Sequence, residues 1–344
     1  MEKNDLKPLI GLTLEELKTV AAECKLPSFA ARQLARRLYI NRTTTIDEMT
    51  EISAAGRERL KERYAIGLEK PKTEVRSTDG TAKYLFTGCG GRDIEAVMIP
   101  DRDRATLCVS SQAGCRMNCS FCMTGRQGFH GNLTASQIIN QVLSVPESNE
   151  LTNIVFMGMG EPMDNLDAVM KAIEVLTAPW GMAWSPKRIT VSSIGKLSEL
   201  RRLIEQTQVH VALSLHSPFA EERESLMPVQ KAYPATEVLA ELRKHDWSHQ
   251  RRLSVEYIMW GGVNDDMRHA EAVGRMLRGM HCRVNLIRFH AIPGSTLRPS
   301  DEATMKRFRD RLNEQGITAT IRASRGEDIM AACGMLAGKA RQAT

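Results

Sequence analysis

The stretch CVSSQAGCRMNCSFCMTGRQGF, residues 108–129, carries four of the eight cysteines in the chain. Three of them, Cys115, Cys119 and Cys122, form a C-x3-C-x2-C triplet. An apolar run, ATLCVSS (105–111), leads into the triplet, and a helix-like segment (134–145) follows it. The cysteines therefore fall on a loop between a strand and a helix. In parallel α/β folds, sites gather at the C-terminal ends of strands.

Downstream the same alternation repeats. Apolar strand candidates occur at 152–158, 188–193, 210–216, 253–260 and 283–290. Helix-like segments lie at 165–178, 196–206, 236–246, 267–279 and 301–315, and a further strand at 318–324. Six βα units in succession predict a parallel sheet, either open or closed into a barrel.

Upstream the character differs. TLEELKTVAAECK opens with Thr13 as an N-cap and Glu16 at the capping-box position. SFAARQLARRLYI and AAGRERLKERY continue the helical pattern, so residues 1–65 read as helical. Asp79-Gly80 between alternating segments marks a β-hairpin, and DIEAVMIP reads as another strand.

The chain has 344 residues, 42% hydrophobic and 26% charged, which fits a globular fold and excludes disorder. No uncharged apolar run approaches the roughly 18 residues of a spanning helix. The N-terminus lacks an apolar signal core, so the expected location is cytoplasmic, without membrane attachment. The net charge of +6 is compatible with a polyanionic partner. Arg32, Arg36, Arg37 and Arg42 crowd one helix end, where a solvated face is the simpler reading.

In a reducing compartment a tight cysteine group signals metal binding or catalysis. Three thiolates can hold three irons of a [4Fe–4S] cluster and leave the fourth open. Structural zinc is the alternative, although zinc sites usually pair two C-x2-C knuckles.

The triplet, with Phe121 before its last cysteine, resembles the radical S-adenosylmethionine superfamily. Within it, FMGMGEPMDN (156–165), RITVSSIG (188–195), SLHSP (214–218), GVND (262–265), VNLIRF (284–289) and RGEDIMAACG (325–334) occur in the order of RlmN-type RNA methyltransferases. These are similar to the Cfr-type resistance methyltransferases. The resemblance implies an α/β fold: a partial (β/α)6 radical SAM barrel with a small N-terminal helical domain and a β-hairpin extension. The corresponding parts are 1–72 (helical, RNA-binding), 73–100 (hairpin and strand), 101–323 (barrel) and 324–344 (C-terminal segment).

The resemblance also implies the chemistry. Cys115, Cys119 and Cys122 would hold one [4Fe–4S] cluster, and S-adenosylmethionine would chelate its open iron, two molecules being used per turnover. Gly160, Glu161, Ser192, Ser214, Leu215, His216 and His290 would bind that cofactor. Cys333 would carry the methyl group, Cys108 would resolve the covalent RNA adduct by forming a disulfide, and Glu95 would accept the ring proton. The substrate would be carbon 2 of an adenosine in 23S rRNA, protein-free or immature, and of an adenosine in the tRNA anticodon loop. A flavodoxin-type reductant and a monomeric enzyme are expected. Cys24, Cys89 and Cys282 match no motif and read as packing residues.

Two departures stand out. His290 occupies a position where relatives carry asparagine, and FHGNL (129–133) lacks an arginine common there. Three rivals remain open at this point: a Cfr-type methyltransferase acting at carbon 8, a radical enzyme for a small molecule, and a non-catalytic metal-bearing RNA-binding protein.

Overall fold

A computed structural model describes residues 6–249 and 251–338, so the last six positions of the C-terminal segment lie outside the described residues. Thr13 and Glu16 close the expected capping box around the helix Leu14–Glu23. The helix Ala30–Ala35 continues as a wider π turn to Ile40, and Ala54–Lys61 completes the helical part. Strand β1 (Lys7–Pro8) pairs in parallel with β2 (Tyr64–Ala65) and ties the two ends of this unit together. Arg42 fastens it to the barrel, donating to Ser148 Oγ at 2.7 Å and Asn149 Oδ1 at 2.6 Å. Tyr39 packs against Trp180, with ring centroids 6.0 Å apart.

The hairpin forms where Asp79-Gly80 predicts it. Gly80 has φ +85°, and Asp79 Oδ1 accepts the Thr81 N–H at 2.9 Å. Strands β3 (Thr73–Arg76), β4 (Ala82–Thr87) and β5 (Asp93–Asp101) run antiparallel, and β5 pairs antiparallel with β6 (Arg104–Cys108). After the short ribbon β7 (Gln112–Gly114) and β8 (Phe129–Asn132) come β9 (Asn153–Phe156), β10 (Ile189–Ser193), β11 (His210–Ser214), β12 (Leu253–Met259), β13 (Cys282–Arg288) and β14 (Thr318–Ile321). The sheet has ten strands in the order β14-β13-β12-β11-β10-β9-β6-β5-β4-β3. From β6 to β14 the pairing is parallel throughout.

Six helices, 135–144, 166–177, 197–206, 235–242, 267–277 and 302–314, connect the parallel strands. Alternate strand residues pack beneath them, such as Ile154, Phe156, Val211 and Val284, and are almost fully buried. The intervening residues face the concave side. The helix Ala220–Leu226 and the cysteine-loop ribbon are additions that strand periodicity does not reveal. Among the described residues no helix is long and apolar enough to cross a membrane.

Beyond β14 the chain crosses back to the hairpin. Asp79 Oδ2 accepts the Gly326 N–H at 3.0 Å, and Ser77 Oγ donates to Asp328 Oδ1 at 2.6 Å. The segment carrying Cys333 thus spans from the last strand to the extension.

Candidate active site

The cysteine loop is shaped by backbone contacts. Gly114 has φ +73°, and a Cβ there would meet the Gly128 carbonyl at 1.9 Å, so the approach of the two chains requires glycine. Cys115 N–H donates to that carbonyl at 2.9 Å. The loop also grips the C-terminal segment: Met123 N–H donates to Gly334 O, Thr124 Oγ1 to Leu336 O and Gln127 Nε2 to Ala337 O, each at 2.8 Å.

Cys115, Cys119 and Cys122 line one cavity of about 180 Å³ at the C-terminal ends of the strands. Cys108, Gly160, Glu161, Ser192, Ser214, His216 and Cys333 line the same cavity. Among the described residues no three acidic, histidine or cysteine side chains are drawn together to grip a single ion. The three thiols are arranged around a cavity, a donor set that suits the several metal atoms of a cluster.

Glu161 is buried, and burial pushes its carboxyl up to about 8. Its oxygens accept the N–H groups of Met163 and Ile194, each at 3.2 Å. Such a carboxylate, with lone pairs to spare, suits an ammonium group. Gly160 has φ +97°, and a Cβ there would meet Gln112 at 2.5 Å. His216, also left-handed at φ +60°, accepts the Ile258 N–H on Nδ1 at 3.1 Å. Burial, then Arg223, depresses its pKa to about 3, so the ring is neutral. Burial likewise pushes Cys108 and Cys115 up to about 12 as free thiols.

Arg223, absent from the sequence expectations, is 1% exposed. It donates to the carbonyls of Leu215 and Ser214 at 3.0 Å and of Ile194 at 3.3 Å. It therefore holds the ends of two strands together at the rim.

A second cavity, of about 450 Å³, continues through the barrel toward the N-terminal ends of the strands. Arg104, Lys187, Arg252 and Arg283 line it at or beside the starts of four strands. None of these four makes an ion pair among the described residues. Cys333, Arg322, Glu256, Ala331 and Ala332 line both cavities and mark their junction.

Three expected residues do not join the upper cavity. His290 lines the lower one, with Nε2 at 2.5 Å from Ser324 Oγ and Nδ1 at 3.1 Å from Glu327. Leu215 is fully buried and presents its backbone to Glu256 and Arg223. Glu95 is 2% exposed, lines neither cavity, and contacts Lys83 and the Ala337 N–H.

The fold and its cysteine-lined rim define a radical SAM enzyme: the Radical SAM superfamily matches residues 109–272, and the ribosomal RNA large subunit methyltransferase N-terminal domain matches 7–66. The chain is 58% identical, over 96% of its length and 97% of the relative's, to a probable dual-specificity RNA methyltransferase RlmN of Parabacteroides distasonis. It is 42% identical, over 94% of its length and 96% of the relative's, to the dual-specificity RNA methyltransferase RlmN of Syntrophobacter fumaroxidans. A radical SAM methyltransferase structure from Sphaerobacter thermophilus superposes with a TM-score of 0.91 at 39% identity, covering 97% of this chain and 100% of the other. The chain belongs to the RlmN family of dual-specificity RNA methyltransferases. It is an enzyme, which removes the reading as a non-catalytic RNA-binding protein.

Proposed function

We propose that this enzyme methylates carbon 2 of an adenosine in 23S rRNA, and of an adenosine in tRNA, by way of a methyl group carried on Cys333. The observation that supports this reading is the position of Cys333 at the junction of two unlike cavities. One holds the cysteine triplet and the other is lined by arginine and lysine, as a path for a phosphate backbone would be.

Cys115, Cys119 and Cys122 would hold a [4Fe–4S] cluster, with Glu161, Gly160, Ser192, Ser214 and His216 around S-adenosylmethionine. When bound, these groups supply the methyl group and the radical that activates it. Cys333 is exposed at the junction and can present its sulfur to either side. Cys108 is buried alongside. As the covalent RNA adduct resolves, its thiolate would attack the Cys333 sulfur: the S–S bond forms and the S–C bond breaks, leaving its electron pair on the carbon, which takes up a proton from water to become the methyl group. An adenosine reaching this depth must leave its stack. A flavodoxin-type protein is the proposed electron donor, and the enzyme is proposed to act as a monomer.

The test is expression in a host lacking adenine carbon methylases, with digested ribosomal and transfer RNA analysed by mass spectrometry against ring-position standards. The expected product is 2-methyladenosine, absent in Cys333→Ala. An 8-methyladenosine product would move the enzyme to Cfr-type chemistry, and no new methyladenosine would overturn the reading.

A further inference from the structure

We infer that Glu256 reads the target base, accepting a hydrogen bond from the exocyclic amino group of adenine. The inference rests on the proposal that an adenine ring carbon meets Cys333.

Glu256 lies in the middle of β12, between Ser214 of β11 and Asn285 of β13. It is 4% exposed and lines both cavities where they meet. Ser254 Oγ and Asn285 Nδ2 donate to its Oε1 at 2.7 and 2.9 Å. Its Oε2 is buried and has no hydrogen-bond partner among the described residues. A buried carboxylate oxygen without a donor is costly. The residue lines both cavities where they meet, so a ligand bound at that junction is the source of the donor that the inference assigns to it.

The chemistry of the bases narrows the ligand. On its pairing edge adenine offers one donor, the amino group on carbon 6, then the acceptor N1, then carbon 2. Guanine places an acceptor, O6, where adenine has the amino group, and a carboxylate would repel it. The amino group and carbon 2 flank N1 on one edge of the ring. Three residues that line the same junction carry chemistry complementary to these three positions. Glu256 is an acceptor for the amino group, and Arg322 is a donor for N1. Cys333 stands for carbon 2. Arg322 lines both cavities with the other two, its guanidinium interacts electrostatically with Cys333 and Glu256, and its Nη1 makes a weak contact with Met157 Sδ at 3.8 Å. The two carboxylates differ in this respect: Glu95 has both oxygens engaged by Lys83 and Ala337, whereas Glu256 keeps one free. Reading the pairing edge also requires that the base be unpaired when it binds.

The test uses the holoenzyme and a synthetic tRNA anticodon stem-loop with its target adenosine present as adenosine or replaced by purine riboside, which lacks the amino group. Affinities are measured by filter binding at fixed salt. The wild type should bind the purine form roughly ten- to a hundred-fold more weakly, the range of one hydrogen bond to a charged group. Glu256→Met, similar in volume but without an acceptor, should bind both RNAs alike. Glu256→Gln, which keeps an acceptor, should restore part of the preference. A merely structural role for Glu256 would weaken both RNAs equally and leave the preference intact, and that result overturns the inference. Equal binding of both RNAs by the wild type overturns it without any variant. If the wild type prefers adenosine but forms no 2-methyladenosine, the proposed reaction fails and the base contact stands. If it forms the product without the preference, the base contact alone fails.

Discussion

Glu95 Oε2 accepts the backbone N–H of Ala337 at 2.8 Å, just beyond Cys333 in the chain. Its other oxygen lies 3.2 Å from Lys83 Nζ, which in turn reaches the Met330 carbonyl at 3.4 Å. The pair, 2% and 13% exposed, therefore fastens both ends of the turn that presents Cys333. Removing one partner of such a pair leaves a buried charge uncompensated. Lys83→Met should loosen residues 330–337, with faster proteolysis there and faster alkylation of Cys333 by iodoacetamide. Unchanged rates at both would show that the pair does not hold the turn.

Gly160→Ala should abolish S-adenosylmethionine binding while the fold survives. The residue sits at φ +97°, and the added methyl would meet Gln112, including its backbone nitrogen at 2.9 Å. Gln112 Oε1 accepts the Glu161 N–H at 2.9 Å, so the strain passes directly to that carboxylate. Equilibrium dialysis on the reconstituted enzyme measures the loss, and circular dichroism confirms the fold.

Cys108, the proposed resolving cysteine, should react with the pH dependence of a buried thiol. Cys333 is exposed, whereas burial, reinforced by Cys333 itself, pushes Cys108 up to about 12. A raised thiol pKa keeps Cys108 protonated below that value, and only the thiolate reacts. Its alkylation should rise about tenfold per pH unit from about pH 8 to 11 without levelling. Peptide mapping resolves the two sites, and a plateau near pH 9 would mean that Cys108 behaves as an ordinary thiol.

The basic mouth of the lower cavity should govern salt dependence. Arg252→Gln and Arg283→Gln should each reduce the slope of log affinity for RNA against log salt by about 1. S-adenosylmethionine affinity, set at the opposite rim, should not change. Equal slopes in wild type and variants would place the RNA backbone elsewhere.

Much of the architecture was legible because it rests on local periodicity. The apolar strands at 105–111, 152–158 and 283–290 lie within a few residues of β6, β9 and β13. The capping box at Thr13 and the turn at Asp79-Gly80 are local signals too, and both formed. Contacts that depend on which side of a strand faces inward were not legible. Arg252 and Arg283 lie at the edges of apolar runs and carry no motif, and only the curvature of the sheet brings them to the lower cavity. Glu256 carries no motif, and only the pairing of β12 with β11 and β13 brings it to the junction of the cavities. Joining β5 to β6 makes the hairpin part of the main sheet, a long-range pairing that no short window contains. Leu215 and His290 are themselves among the expected rim residues, yet pleating buries Leu215 and the chain's exit from β13 places His290 on the lower cavity.

The strap from β14 to the hairpin has a consequence for biosynthesis. A nascent chain folds as it leaves the ribosome, N-terminal parts first. Every parallel strand, the cysteine loop and the hairpin emerge before the strap that joins the two ends of the sheet. The segment carrying Cys333 follows in chain order every strand that lines the upper cavity, so the rim is the last part of the fold to be completed.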